Sequence, residues 1–171
     1  NPNILYVGTG SDGIRSNIIV GKGIYKSEDA GASWESLGLN DTGQIGAVKI
    51  NPNDPNIVYA AAIGQPFKSN SERGLYKTTD GGKTWNKILF ISDKIGIVDI
   101  EFSPENPDII YAASWEVDRK PWTIISGSKD GGIYKSIDAG ESWVKLSKGL
   151  PKGNIGKIDL AVTPADPHRL Y

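Results

Sequence analysis

The sequence predicts an all-β protein, a β-propeller segment of about three four-stranded antiparallel blades that forms part of a larger ring. Three observations carry that expectation. An octapeptide returns three times, as SEDAGASW at 27–34, TTDGGKTW at 78–85 and SIDAGESW at 136–143. A double-proline signature returns in phase with it, as NPNDPNIVYAA at 51–61, SPENPDIIYAA at 103–113 and TPADPHRLY at 163–171, with NPNILYVG at 1–8 as a shortened copy. The spacing is near 50 residues, since Trp34, Trp85 and Trp143 stand 51 and 58 residues apart. A period of that length, filled with short strands, marks propeller blades.

Each unit reads as four strands. In strand A, GAVKI, VDIEF and IDLAV place Val48 and Ile50, then Val98, Ile100 and Phe102, then Ile158, Leu160 and Val162 on one face at period two. Strand B is the nearly continuous apolar run NIVYAAA or DIIYAAS, whose β-branched and aromatic content suits burial on both faces. Strand C is GIYKS, GLYKT and GIYKS, and strand D is the short stretch that starts at each octapeptide tryptophan. This divides the chain into strands B to D of one blade (1–40), a complete blade (41–92), a second complete blade (93–150) and the start of another (151–171). His168 takes the position of Asn56 and Asp108 and is expected in a turn before strand B. No helical periodicity of useful length is present.

The octapeptide falls at the turn from strand C to strand D. Asp29, Asp80 and Asp138 can accept hydrogen bonds from the N–H groups of their own turn. Gly31, Gly82 and Gly140 can take the positive φ of the reversal. Ser27, Thr78 and Ser136 can close the turn through their hydroxyls, and Trp34, Trp85 and Trp143 can fill the gaps between neighbouring sheets. A single catalytic centre does not need its acid three times, so these residues read as a structural fastener. Calcium or another ligand at the turns is the competing reading.

Composition excludes several classes. Nineteen Lys and Arg against twenty Asp and Glu leave a net charge of −1, with no basic footprint for nucleic acid. No apolar run approaches the roughly 20 residues of a membrane span, and residues 1–8 do not read as a signal peptide. With no Cys and one His, thiolate metal sites, histidine clusters and a His-dependent triad are not expected, and neither a metal nor a cofactor is. GTGSDG resembles a phosphate loop only superficially, because no helix follows it.

Antiparallel order puts the A-to-B and C-to-D turns at one end of every blade and the B-to-C loops at the other. Those loops are long and unlike: GTGSDGIRSNIIVGK, IGQPFKSNSER and SWEVDRKPWTIISGSKDG. Variable loops on a constant scaffold are where specificity resides, so this face is the candidate binding surface for a protein or a glycan. The third loop is richest, with Trp122, Arg119, Lys120, Glu116 and Asp118 as candidates to stack on a sugar ring or anchor a peptide. Trp115 reads as the buried end of strand B. Phe67, Lys68, Arg73, Arg15 and Asp12 are weaker candidates from the neighbouring loops.

Ser/Thr-x-Asp-x-Gly-x-x-Trp at a C-to-D turn is similar to the Asp-box, or BNR repeat, of sialidases, xyloglucanases and sortilin-type propellers. With the paired DPNIVYAA and GLYKTTDGGKTW signatures, the chain most resembles bacterial sortilin-type, glycosyl hydrolase-like repeat proteins. That resemblance implies a ring of more blades than this chain holds, closed by the rest of the same chain or by another one. It also implies a secreted, periplasmic or cell-surface location. The function expected is a noncatalytic recognition scaffold that binds protein or glycan, with no catalytic residue assigned. The alternative is a glycoside hydrolase, xyloglucanase-like more than sialidase, whose acids lie partly outside these residues. Asp12, Glu72, Glu116 and Asp118 could supply a carboxylate pair only if loops from different blades converge. The sialidase arginine cluster finds only Arg15, Arg73, Arg119 and Arg169, with Arg169 expected on the opposite face.

Overall fold

A computed structural model describes residues 1–15 and 17–171. Residue 16, within the first long loop, lies outside the described residues. The described chain is all strand, turn and loop. Strands β1 (Leu5–Gly8), β2 (Ile24–Ser27) and β3 (Glu35–Ser36) form a three-stranded sheet. Strands β4 (Gln44–Ile50), β5 (Val58–Gly64), β6 (Gly74–Thr78) and β7 (Asn86–Leu89) form a four-stranded one in sequential order. In the third sheet β8 (Ile95–Phe102) pairs with β9 (Ile110–Lys120), which also pairs with β11 (Gly132–Ser136) and, beyond the blade, with β10 (Thr123–Ser126); β12 (Val144–Leu146) completes it. A two-stranded piece, β13 (Val162–Thr163) with β14 (Asp166–Leu170), follows. All named strand pairs are antiparallel. Among the described residues no helix is long and apolar enough to cross a membrane.

Strand B behaves as its composition requires. Every residue of β5 is buried, as are the first six of β9. Alternate side chains enter different cores: Tyr59 and Ala61 join Ile97, Ile100, Ile110 and Ala112 of the third sheet, while Ala60 and Ala62 pack with Ile24 of the first. Burying one such aliphatic side chain is worth roughly 1.5–3 kcal/mol, so the contacts between sheets hold the segment together.

The junctions repeat. Leu37, just after β3, lies under Gly82 so closely that a β-carbon there would overlap it. Ile88 on β7 stands in the same relation to Gly140. Trp85 packs in the first junction and donates its Nε1–H to the Leu37 carbonyl at 3.0 Å, and Trp143 packs in the second. Trp34 departs from the expectation that every octapeptide tryptophan fills a gap between sheets. It is 43% exposed, because no sheet among the described residues lies against its face of β1–β3.

The last copy also departs from its pattern. Of the expected A strand only Val162 lies in a named strand, Ala161 exchanges backbone bonds with Tyr171 at 3.0 and 2.9 Å, and the Leu160 N–H donates to the Asp99 carboxylate at 2.7 Å. Thr163 pairs directly with Asp166, so the chain reverses earlier than at 51–57 or 103–109. His168 therefore lies within strand β14 and not in a turn. Pro167 is tolerated there because β14 is an edge strand.

Candidate functional site

The octapeptides build three nearly superimposable turns. The hydroxyls of Ser27, Thr78 and Ser136 donate to Oδ1 of Asp29, Asp80 and Asp138, at 2.7 Å in each copy. The same hydroxyls accept the N–H of Gly31, Gly82 and Gly140 at 2.8, 2.9 and 2.8 Å. Each aspartate also takes the backbone N–H and the hydroxyl of the residue before the tryptophan: Ser33, Thr84 and Ser142. Sequence reasoning left that seventh position unassigned, although a hydroxyl there in all three copies was the signal. The Ser33 and Ser142 bonds, backed by those of Ser27 and Ser136, hold the Asp29 and Asp138 carboxyls down at about 2. Asp80 is lowered further, led by Thr84.

The backbone at these turns is equally constrained. Gly31, Gly82 and Gly140 have φ of 92°, 100° and 96°, and the residue before each, Ala30, Gly81 or Ala139, is also left-handed. The N–H of that preceding residue reaches the carbonyl just before strand B: Ala30 to Asn3, Gly81 to Asn56 and Ala139 to Asp108, each at 2.9 Å. The octapeptide and double-proline turns thus share one end of the sheets. Both carboxylate oxygens of each aspartate are thus engaged by its own turn.

The opposite end carries the long loops, and the third of them is mostly not a loop. Beyond the blade, β9 continues through Val117–Lys120 and doubles back as β10, with Lys120 opposite Thr123. Pro121 and Trp122 form the two-residue tip. Trp122 is 81% exposed. Arg119 donates from Nη1 to the Thr123 carbonyl at 3.1 Å, and Lys120 pairs with Asp118 at 2.8 Å, so both cations are held beside the tip. Ile124 and Ile125 are exposed behind it. Trp115, by contrast, is buried at the root and donates Nε1–H to Ser126 at 3.1 Å.

The second loop meets this hairpin. The Arg119 N–H donates to the Pro66 carbonyl at 2.6 Å, which sets exposed Phe67 on a segment tied to the hairpin strand. Arg73 was expected at the binding surface and is not there. It is 1% exposed, and its Nη2 donates inward to the carbonyls of Gln65 at 2.7 Å and Val117 at 3.0 Å. Arg15 and Lys68 are exposed.

The four carboxylates have separate partners or surroundings. Asp12 pairs with Lys157 at 3.0 Å, which lowers its pKa, and Glu72 accepts from Tyr76 at 3.2 Å and from Ser71 at 3.0 Å. Asp118 faces Lys120, and Glu116 sits at the hairpin root, where its carbonyl accepts the Gly127 N–H at 2.8 Å. Arg169 pairs with Asp166 at 3.2 Å on β14. Among the described residues no cluster of three or more His, Cys, Asp or Glu could hold a metal ion.

Comparison with known proteins places this geometry in context. The Sortilin-Vps10 family model (sortilin, neurotensin receptor 3) matches residues 22–162. A xyloglucanase of a Paenibacillus species is 28% identical over 147 residues, covering 76% of this chain and 14% of that protein. Vacuolar protein sorting/targeting protein 10 of Sordaria macrospora is 29% identical over 118 residues, covering 69% of this chain and 7% of that protein. The chain therefore spans a small part of the length of the curated relatives it matches. The crystal structure of an ancestral GH74 enzyme matches with a TM-score of 0.70 at 20% identity, over 100% of this chain and 20% of that one. At that identity the likeness shows the fold, a propeller segment.

Proposed function

The chain belongs to the Sortilin-Vps10 family, and from that premise we propose that its long-loop face recognises a xyloglucan-like polysaccharide, as part of an exported carbohydrate-active protein. The observation that carries the reading is Trp122, 81% exposed at the tip of a two-residue turn on a hydrogen-bonded hairpin. An indole held away from the core offers an apolar face to a pyranose ring, and the tethered Arg119 and Lys120 supply donors for its hydroxyls. The xyloglucanase named among the relatives favours a glycan over a peptide as the ligand. Binding of xyloglucan oligosaccharides by calorimetry tests the proposal. Trp122→Ala is expected to weaken binding by about tenfold or more with an unchanged melting temperature. Equal affinity of the two proteins would remove the hairpin from the site.

The same relative favours a second reading, hydrolysis of that polysaccharide. A glycosidase needs one carboxyl kept protonated as the acid and a second carboxylate opposite it. Asp12 is shifted downward by Lys157, the wrong direction for the acid, which leaves Glu72, Glu116 and Asp118 as the residues to test. Release of reducing ends from xyloglucan by this chain, abolished by Glu72→Gln or Glu116→Gln without loss of binding, would establish catalysis here. Binding without release assigns recognition to this segment.

A further inference from the structure

Arg73 is the one Lys or Arg that is buried among the described residues, and the repeat does not require it. Its equivalents, one residue before the strand-C glycine, are Lys22, which is exposed, and Gly131, which has no side chain. A desolvated guanidinium is costly to keep, so its presence in one unit alone calls for a local reason. The contacts of Nη2 supply one. They join Gln65, in the loop that carries Phe67, to Val117, the residue at which β9 leaves its blade. Glu116 is still paired with Ile95 of β8, whereas Val117 to Lys120 pair only with β10. Arg73 thus grips the hairpin at its root.

We propose that Arg73 is the positioning residue of the Trp122 hairpin, clamping it to the second loop so that the two present one rigid surface. Asp118, whose other oxygen pairs with Lys120, is the foremost of three carboxylates, with Asp93 and Glu116, whose charge favours the ionised guanidinium from beyond contact distance. Buried Asp118 Oδ1 makes no hydrogen bond, and neither do buried Arg73 Nε and Nη1, so each side retains capacity of the kind the other lacks. Burial pushes the Arg73 guanidinium down to about 10, against the opposing charge of Asp118. The backbone bond from Arg119 to Pro66 is a second tie between the same segments. Without the clamp the hairpin beyond its buried root at Val117 would be tied to the second loop by that single backbone bond, and Trp122 would sample many orientations.

The consequence for ligand binding rests on the glycan reading above, but the clamp is tested without it. Hydrogen–deuterium exchange of the chain is compared with that of Arg73→Gln and Arg73→Lys. In Arg73→Gln the amides of 117–126 are expected to exchange about tenfold faster or more, while those of β5 are unchanged. Arg73→Lys, which keeps the charge and one donor, is expected to restore part of the protection. Asp118→Asn, with Arg73 intact, is expected to loosen the same amides to a smaller degree. Xyloglucan affinity of Arg73→Gln is expected to fall toward that of Trp122→Ala, although Trp122 is retained. Unchanged exchange in the hairpin, or acceleration spread equally over β5, would overturn the proposal. Hairpin loosening in a chain that binds no xyloglucan supports the clamp and overturns the glycan reading alone.

Discussion

The phenolic hydroxyl of Tyr59 donates to the carbonyl of Ala139, 3.0 Å away and 80 residues further along the chain. Tyr6 makes the equivalent bond to Gly81 at 3.2 Å. A strand-B tyrosine of one sheet therefore latches onto the octapeptide turn of the next. Lys77 shares the Ala139 carbonyl at 2.9 Å and lies over the Tyr59 ring, so the latch is held twice.

Tyr59→Phe is expected to cost about 1 kcal/mol. The loss stays modest because Lys77 still satisfies the carbonyl. Urea unfolding of the two proteins measures it, and a difference near zero would mean that Lys77 alone makes the junction.

The same tyrosine sets an alkaline limit. Burial pushes its phenol from 10.0 up to about 12, with Asp108 and Glu141 adding to the shift. The stabilisation is fully present below pH 10, where both states hold the proton. It is lost as pH rises toward about 12, because the unfolded chain ionises first. Tyr59→Phe should flatten this part of the stability profile, as followed by circular dichroism.

At the acid end the sign reverses. The carboxyls of Asp29 and Asp138 lie at about 2 in the folded chain against 3.8 unperturbed. Their stabilisation is present above pH 3.8 and is lost as pH falls through about 2. Ser142→Ala, which removes the leading cause of the Asp138 shift, should move the acid unfolding midpoint upward. Asp80→Ala should lower the melting temperature at neutral pH, and lost ligand binding with intact stability would contradict the structural role of that turn.

Gly82→Ala should destabilise more than Gly149→Ala. Both positions have positive φ, 100° and 81°, but an added methyl at Gly82 meets Leu37 and at Gly149 meets nothing. The difference is expected to be about 1–3 kcal/mol, read from paired thermal or denaturant melts.

How much of this was legible depended on the range of the interaction. The Asp29, Asp80 and Asp138 turns could be read because every bond lies within a few residues, and threefold repetition exposed the shared requirement. The buried course of β5 followed from its composition. The third long loop was read as irregular because Pro121 masks a two-residue turn whose flanks, Asp118–Lys120 and Thr123–Ser126, show no apolar alternation. Arg73 looked like a surface cation because its partners, Gln65 and Val117, are brought together only by packing one sheet against the next. His168 was misplaced because the fourth turn closes early on Thr163 and Asp166.

Leu37 beneath Gly82 and Ile88 beneath Gly140 are made of one position near the end of a unit and one fixed position in the unit after it. Any tandem duplication of a whole unit copies both halves of that joint at once. A duplicated unit would thus carry its own joint with it, while a change inside one joint acts first on the two units it connects. Sequence drift in the long loops is thereby uncoupled from the seams, which leaves one end of the molecule open to selection for new ligands while the other stays fixed.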